Sequence, residues 1–212
     1  MRLDHVSYAV SNSELGSTVN RLGTLLGATF RDGGVHPRFG TRNFVLPLAG
    51  GSYVEVVAPL DHPATDSAPF GKAVKARAEE GGGWLGWVVG VDDIAPLEAR
   101  LGRKAVNGNR HRPDGTELLW KQLGVKGLQA DPQLPFFIEW DVAPTLHPSV
   151  GATGKVSLEC LEIAGDPARV SEWLGQSVDA PLEAVKVEWV APNGTPGIVA
   201  AQFQTPNGLV RI

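Results

Sequence analysis

The sequence predicts an α+β fold built from tandem βαβββ units, two complete copies followed by a third, partial one at the C-terminus. Three observations carry that reading. The order strand, helix, strand, strand, strand recurs along the chain. "HPRFGTRNFVLPL" from residue 36 aligns with "HRPDGTELLWKQL" from residue 111, so His36 falls on His111 and Gly40-Thr41 on Gly115-Thr116. Glycine (26) and proline (16) are abundant, as short strands joined by tight turns require.

"LDHVSYAV" reads as the first strand, with His5, Ser7 and Ala9 on one face and Val6, Tyr8 and Val10 on the other. Ser11 and Glu14 fit a capping box for the next helix. Its Leu15, Val19, Leu22 and Leu26 share one side, and Gly27 supplies the stop. A run at about 28–35, then "TRNFVLPLA" and "SYVEVVAP", completes the first unit, with glycines between them.

A helix-like "SAPFGKAVKARAEEGGG" leads to "WLGWVVGV", the first strand of the second unit. Asp92 or Asp93 caps a helix carrying Ile94, Leu97 and Leu101. The repeat then lays "PFFIEWD" on "SYVEVVA" and Glu139 on Glu55, with about nine extra residues in the preceding loop. The paired units are expected to form one domain over residues 1–142. Beyond a linker at 143–154 comes the third unit, residues 155–212. It holds the strand "KVSLECLEI" and a helix "DPARVSEWLG", with Asp166 as cap and Gly175 as stop. The strands "EAVKVEWVA", "GIVAAQFQT" and "GLVRI" follow.

At 212 residues the chain can bury a real core, and 42% hydrophobic with 20% charged residues is the composition of a soluble globular protein. A formal charge of −4 gives no basic face for nucleic acid. Cys160 is the only cysteine, which excludes an intrachain disulfide and a thiolate zinc cluster and suits a reducing compartment. With neither a leader pattern nor an apolar run of ~18 residues, a cytoplasmic location without membrane attachment is expected.

Tandem βαβββ units with a histidine on the first strand and a glutamate on the fourth resemble the vicinal oxygen chelate superfamily. The runs "HPRFGTRN", "YVEVVAP", "RHRPDGT" and "PFFIEWD" are similar to its glyoxalase-like domain family, over roughly residues 3–141. The resemblance implies an incomplete barrel of two modules cupping a divalent metal. It places ligands at His5, Glu55 and Glu139, with the two glutamates as catalytic candidates. The superfamily's remaining ligand position falls on Gly86, which cannot bind metal.

Physical chemistry bears on that set. A carboxylate in the middle of "YVEVV" or "FFIEW" is costly to bury alone, and a shared cation would relieve both glutamates. An edge strand facing solvent, or an arginine partner, would relieve them equally. One imidazole with two carboxylates suits Zn, Ni, Mn, Co or Fe, and no organic cofactor is expected. His36 and His111 sit in turn-like segments, as substrate contacts or as turn residues bonding backbone. Arg110 and Arg112 could grip a substrate carboxylate or phosphate, or be solvated. Asn43 and Trp120, with Gln122, would share one strand face as polar handles and an aromatic wall.

The expected function is a metal-dependent lyase or isomerase acting on a small oxygenated metabolite. A metal-free protein that binds or sequesters a small ligand is the alternative. A ring-cleaving Fe(II) dioxygenase ranks below both, because that chemistry usually takes two histidines and one carboxylate. The third unit leaves an apolar face to cover, either on the first two units or in a homodimer, the option favoured here.

Overall fold

The computed structural model describes residues 1–177 and 182–212. Strand β1 (Arg2–Ala9) lies between two neighbours, parallel to β4 (Tyr53–Pro59) and antiparallel to β5 (Gly83–Gly90). With β2 (Arg31–His36), β3 (Thr41–Pro47), β6 (Val106–His111), β7 (Glu117–Leu123) and β8 (Phe136–Trp140), they close a barrel in the order β1-β4-β3-β2-β6-β7-β8-β5. Each module contributes four strands in the same internal order, as the repeat predicts. One seam, β1 on β5, is long. The other, β2 on β6, rests on the single pair Val35–His111, so the barrel is closed but only just.

Helix α1 (Leu15–Leu26) buries Leu15, Val19, Leu22 and Leu26 as its spacing predicts, and Gly27 ends it at φ 61°. The expected capping box falls one turn short. Ser11 does bond the Glu14 carboxylate at 2.6 Å, but Glu14 itself is the N-cap and makes no side-chain cap bond. The short α2 (Pro63–Ser67) precedes α3 (Pro69–Glu79), whose Phe70, Ala73 and Val74 join an inner apolar cluster with Ala9, Val57, Val88, Phe136 and Ile138. Helix α4 (Ala95–Leu101) follows β5.

The third unit holds β9 (Ser157–Ala164), α5 (Pro167–Leu174), β10 (Lys186–Ala191), β11 (Gly197–Thr205) and β12 (Gly208–Arg211). Asp166 caps α5 by accepting from the Ala168 N–H, as expected. The element order repeats, but the pairing does not. Its sheet runs β10-β9-β11-β12, so the strand after the helix lies beside the first strand rather than at the far edge.

Its apolar face is covered by the barrel. Leu158, Leu161, Ile163, Ala201 and Phe203 merge with Leu3, Val6, Trp84 and the α1 face in one outer core. Val187 and Trp189 pack partly against that core, while Val199 is 47% exposed. Among the described residues, no helix is long and apolar enough to cross a membrane.

Candidate acid–base site in the barrel

The site begins with an irregularity. Along β1, Leu3 faces Val89 and His5 faces Val88, so Asp4 is an extra residue against β5. Such a bulge re-aims side chains. Here it lets Asp4, fully buried, sit behind the His5 ring and accept from Nδ1 at 2.7 Å. A carboxylate only accepts, so the ring proton is on Nδ1 and the lone pair of neutral His5 is on Nε2.

Asp4 Oδ2 also accepts from Trp140 Nε1 at 2.9 Å and from His147 Nε2 at 3.1 Å. Burial opposes the charge on Asp4, yet the bonds from His147 and His5 hold its carboxyl far below the usual range. Tyr53 stacks on the His5 ring with centroids 4.5 Å apart.

Glu55 lies beside Ser7 across the β1–β4 ladder. The Ser7 hydroxyl donates to Oε2 and the Asn43 amide to Oε1, each at 2.6 Å. His5 Nε2 is 3.9 Å from Oε2, and His36 Nε2 is 3.9 Å from Oε1. Burial raises the Glu55 pKa. The two imidazoles and the Ser7 and Asn43 bonds outweigh it, and the carboxyl titrates below its ordinary value. Burial pushes His36 down to about 4, so it is neutral near pH 7, with Nδ1 2.8 Å from Thr41 Oγ1.

The second module supplies a cation. Arg110 is 2% exposed, and its Nε and Nη2 have no hydrogen-bond partner. Burial lowers its pKa while Tyr53 and Glu55 raise it, and a guanidinium stays charged throughout. Trp120 donates to Gln122 Oε1 at 2.9 Å and leans over Gly108, where a Cβ would come within 2.3 Å of the indole. His5, His36, Tyr53, Glu55, Arg110 and Trp120 thus line a cavity of about 30 Å³, room for one or two waters.

Of the sequence-predicted residues, His5, Glu55, His36, Arg110 and Trp120 converge on this cavity, and Asn43 stands behind it as a donor to Glu55. Three do not. Glu139 points to the outside of the barrel, because its neighbours Ile138 and Trp140 take the inward positions. Its carboxylate accepts from the Ile94 N–H at 2.8 Å and pairs with Lys121 at 2.8 Å. Half-exposed His111 sits 3.2 Å from Glu117 on the rim, and Arg112 donates to the Leu146 carbonyl. Gly86 leaves no gap, since Leu128 Cδ1 lies 2.7 Å from where a Cβ would be.

The expected His5, Glu55 and Glu139 metal set therefore does not form. The residues that do converge do not fit a divalent cation either: both Glu55 oxygens already accept hydrogen bonds, and the buried Arg110 guanidinium opposes a second cation. Among the described residues, no group of three or more His, Cys, Asp or Glu side chains is arranged to hold a metal ion.

Sequence reasoning missed Asp4, Tyr53 and His147. Tyr53 carried a signal, sharing the Glu55 strand face two residues away. Asp4 is hidden by the bulge, and His147 comes from the linker, which has no periodicity to place it.

Two βαβββ modules closed into a barrel around convergent polar side chains define a protein of the vicinal oxygen chelate type. The chain belongs to the glyoxalase-like domain family, whose match spans residues 3–178. The fold is also that of a hypothetical protein from Staphylococcus aureus, 14% identical, with TM-score 0.61 over 100% of this chain and 85% of that one. A methylmalonyl-CoA epimerase from Mycobacterium tuberculosis is 18% identical over 68% of this chain and 90% of its own, at TM-score 0.45. A Streptomyces coelicolor methylmalonyl-CoA epimerase variant in complex with 2-nitronate-propionyl-CoA is 16% identical over 67% and 99%, at TM-score 0.46. Comparison with curated protein sequences finds no match.

Proposed function

We propose that this protein catalyses a metal-independent proton transfer at a carbon next to a carbonyl or carboxylate, an isomerase-type reaction on a small oxygenated molecule. One observation carries the reading: buried Arg110, with two donors that have no hydrogen-bond partner, lines the same small cavity as His5 and Glu55. An unpartnered buried guanidinium is costly unless an anion meets it.

His5 Nε2 accepts the carbon-bound proton, and the C–H electron pair moves onto the carbonyl oxygen to give an enolate. Arg110 donates to that oxygen. Asp4 fixes the imidazole through Nδ1, and Asp4 and Glu55 together balance the imidazolium that forms. His5 then returns the proton to the same or a neighbouring carbon, which conserves atoms and charge.

The test is proton exchange in D2O, followed by NMR, with a panel of 2-oxo acids, 3-oxo acids and acyl thioesters. Exchange should survive treatment with chelator, and His5→Gln or Arg110→Met should cut it by about 10²–10⁴-fold. Exchange lost with chelator and restored by Zn, Ni, Mn, Co or Fe would establish a metal-dependent lyase or isomerase instead. Ligand binding without exchange would favour a second reading, a binding or sequestering protein. The aromatic wall of Tyr53, Trp120, Phe136 and Trp140 supports that one.

A further inference from the structure

Phe39, Phe70 and Gln122 line a second, far larger cavity of about 1020 Å³ that shares this wall with the barrel site. Its apolar lining continues with Pro69, Val106 and Val125, and four cations border it: Arg38, Arg103, Lys104 and Lys126. Among the described residues no carboxylate lines it. Two of the cations have neighbours outside the cleft, Arg103 lying 5.1 Å over the Trp173 ring and Lys104 3.8 Å from Glu98. Arg38 and Lys126 are exposed and make no ion pair among the described residues. A chain of formal charge −4 has thus gathered four cations around one apolar-floored cleft.

We propose that the cleft holds a phosphorylated apolar extension of the substrate, whose oxygenated end enters the barrel cavity past Phe39 and Phe70. An apolar segment alone would not need four cations, and a small anion alone would not need the apolar floor. Phosphate is the anion chosen because it carries up to two charges and several acceptor oxygens, so it can engage more than one of the bordering cations. The part concerning the reacting end rests on the proposed proton transfer. The cleft's preference for a phosphorylated apolar molecule does not.

The experiment compares calorimetric binding of monomeric decyl phosphate, decanol and inorganic phosphate to the full chain. Decyl phosphate should bind about tenfold or more tightly than either of the others and weaken with added salt. The double variant Arg38→Gln/Lys126→Gln should erase that advantage, while Lys155→Gln, remote from the cleft, and His5→Gln leave it intact.

Equal binding of decanol and decyl phosphate would overturn the proposal, as would inorganic phosphate binding as tightly as decyl phosphate, or an unchanged double variant. So would loss of binding in His5→Gln, which would place the probe in the barrel cavity. Cosedimentation with phosphatidylglycerol vesicles without monomer binding would overturn it too, by assigning the cations to a membrane surface. The two proposals fail separately: a chain without exchange activity can keep the binding contrast, and a chain without the contrast can keep exchange on small substrates.

Discussion

Asp4 and Glu55 are two buried carboxylates kept charged by different means. Asp4 accepts three bonds, from His5, Trp140 and His147, whereas Glu55 accepts two, from the Ser7 hydroxyl and the Asn43 amide. His36 pays for this arrangement, since burial disfavours its cation. Its pKa of about 4 in the fold lies below the ordinary 6.5, so between those values the unfolded chain binds more protons. Stability is therefore complete above about pH 6.5 and falls as pH drops through 4, by about 3 kcal/mol for this group. Asp4 and Glu55, both depressed, add losses of the same sign once pH falls below the ordinary carboxylate range. Urea unfolding of wild type and His36→Gln across pH 4–7 checks this. The variant should show a flatter dependence, and parallel curves would remove His36 as the cause.

At the scale of elements, β8 explains both the success and the failure of sequence reading. Its alternation was legible, and Glu139 does oppose Ile138 and Trp140. Which face points inward was not legible, because both are apolar: Phe136 and Ile138 line the barrel, and Phe137 stacks against Trp173 outside it. The equivalence of Glu139 and Glu55 under the repeat thus holds for strand position but not for environment. Glu139 secures the start of α4, so Glu139→Gln should cost about 1 kcal/mol in thermal or urea unfolding and leave binding in the barrel unchanged. Gly86 makes the converse case. Gly86→His should destabilise the chain by about 1–3 kcal/mol through overpacking on Leu128, with no gain of metal in elemental analysis. The approach of His5 to Glu55 was readable because β1 and β4 pair without a break from His5 to Ala9, whereas His36, read as a turn residue, ends β2. Asp4 and His147 were not readable, one displaced by a bulge and the other carried in by a linker.

At the scale of the whole molecule, the third unit decides how the barrel is covered. Leu158, Val187, Trp189 and Ala201 lie on its apolar face, whereas Cys160 belongs to the opposite face, opposite Gln202, and Val199 is exposed. The barrel occupies that face, which removes the physical reason for expecting a homodimer through it. Trp84 donates to the Ile212 carbonyl at 3.0 Å and stacks on Phe203, while Trp173 donates to the Pro135 carbonyl at 2.7 Å. His147, just before the unit, also completes the Asp4 bonds, so the C-terminal third supports the site as well as the core. Phe203 is fully buried at this junction, and Phe203→Ala should cost about 3–5 kcal/mol. An intramolecular contact predicts a fall in Tm that does not depend on protein concentration. A contact between chains predicts a concentration-dependent Tm and a shift in light-scattering mass. If Phe203→Ala left Tm unchanged at one concentration but lowered the mass, the third unit would be a dimer contact after all, and the barrel's outer core would need another cover.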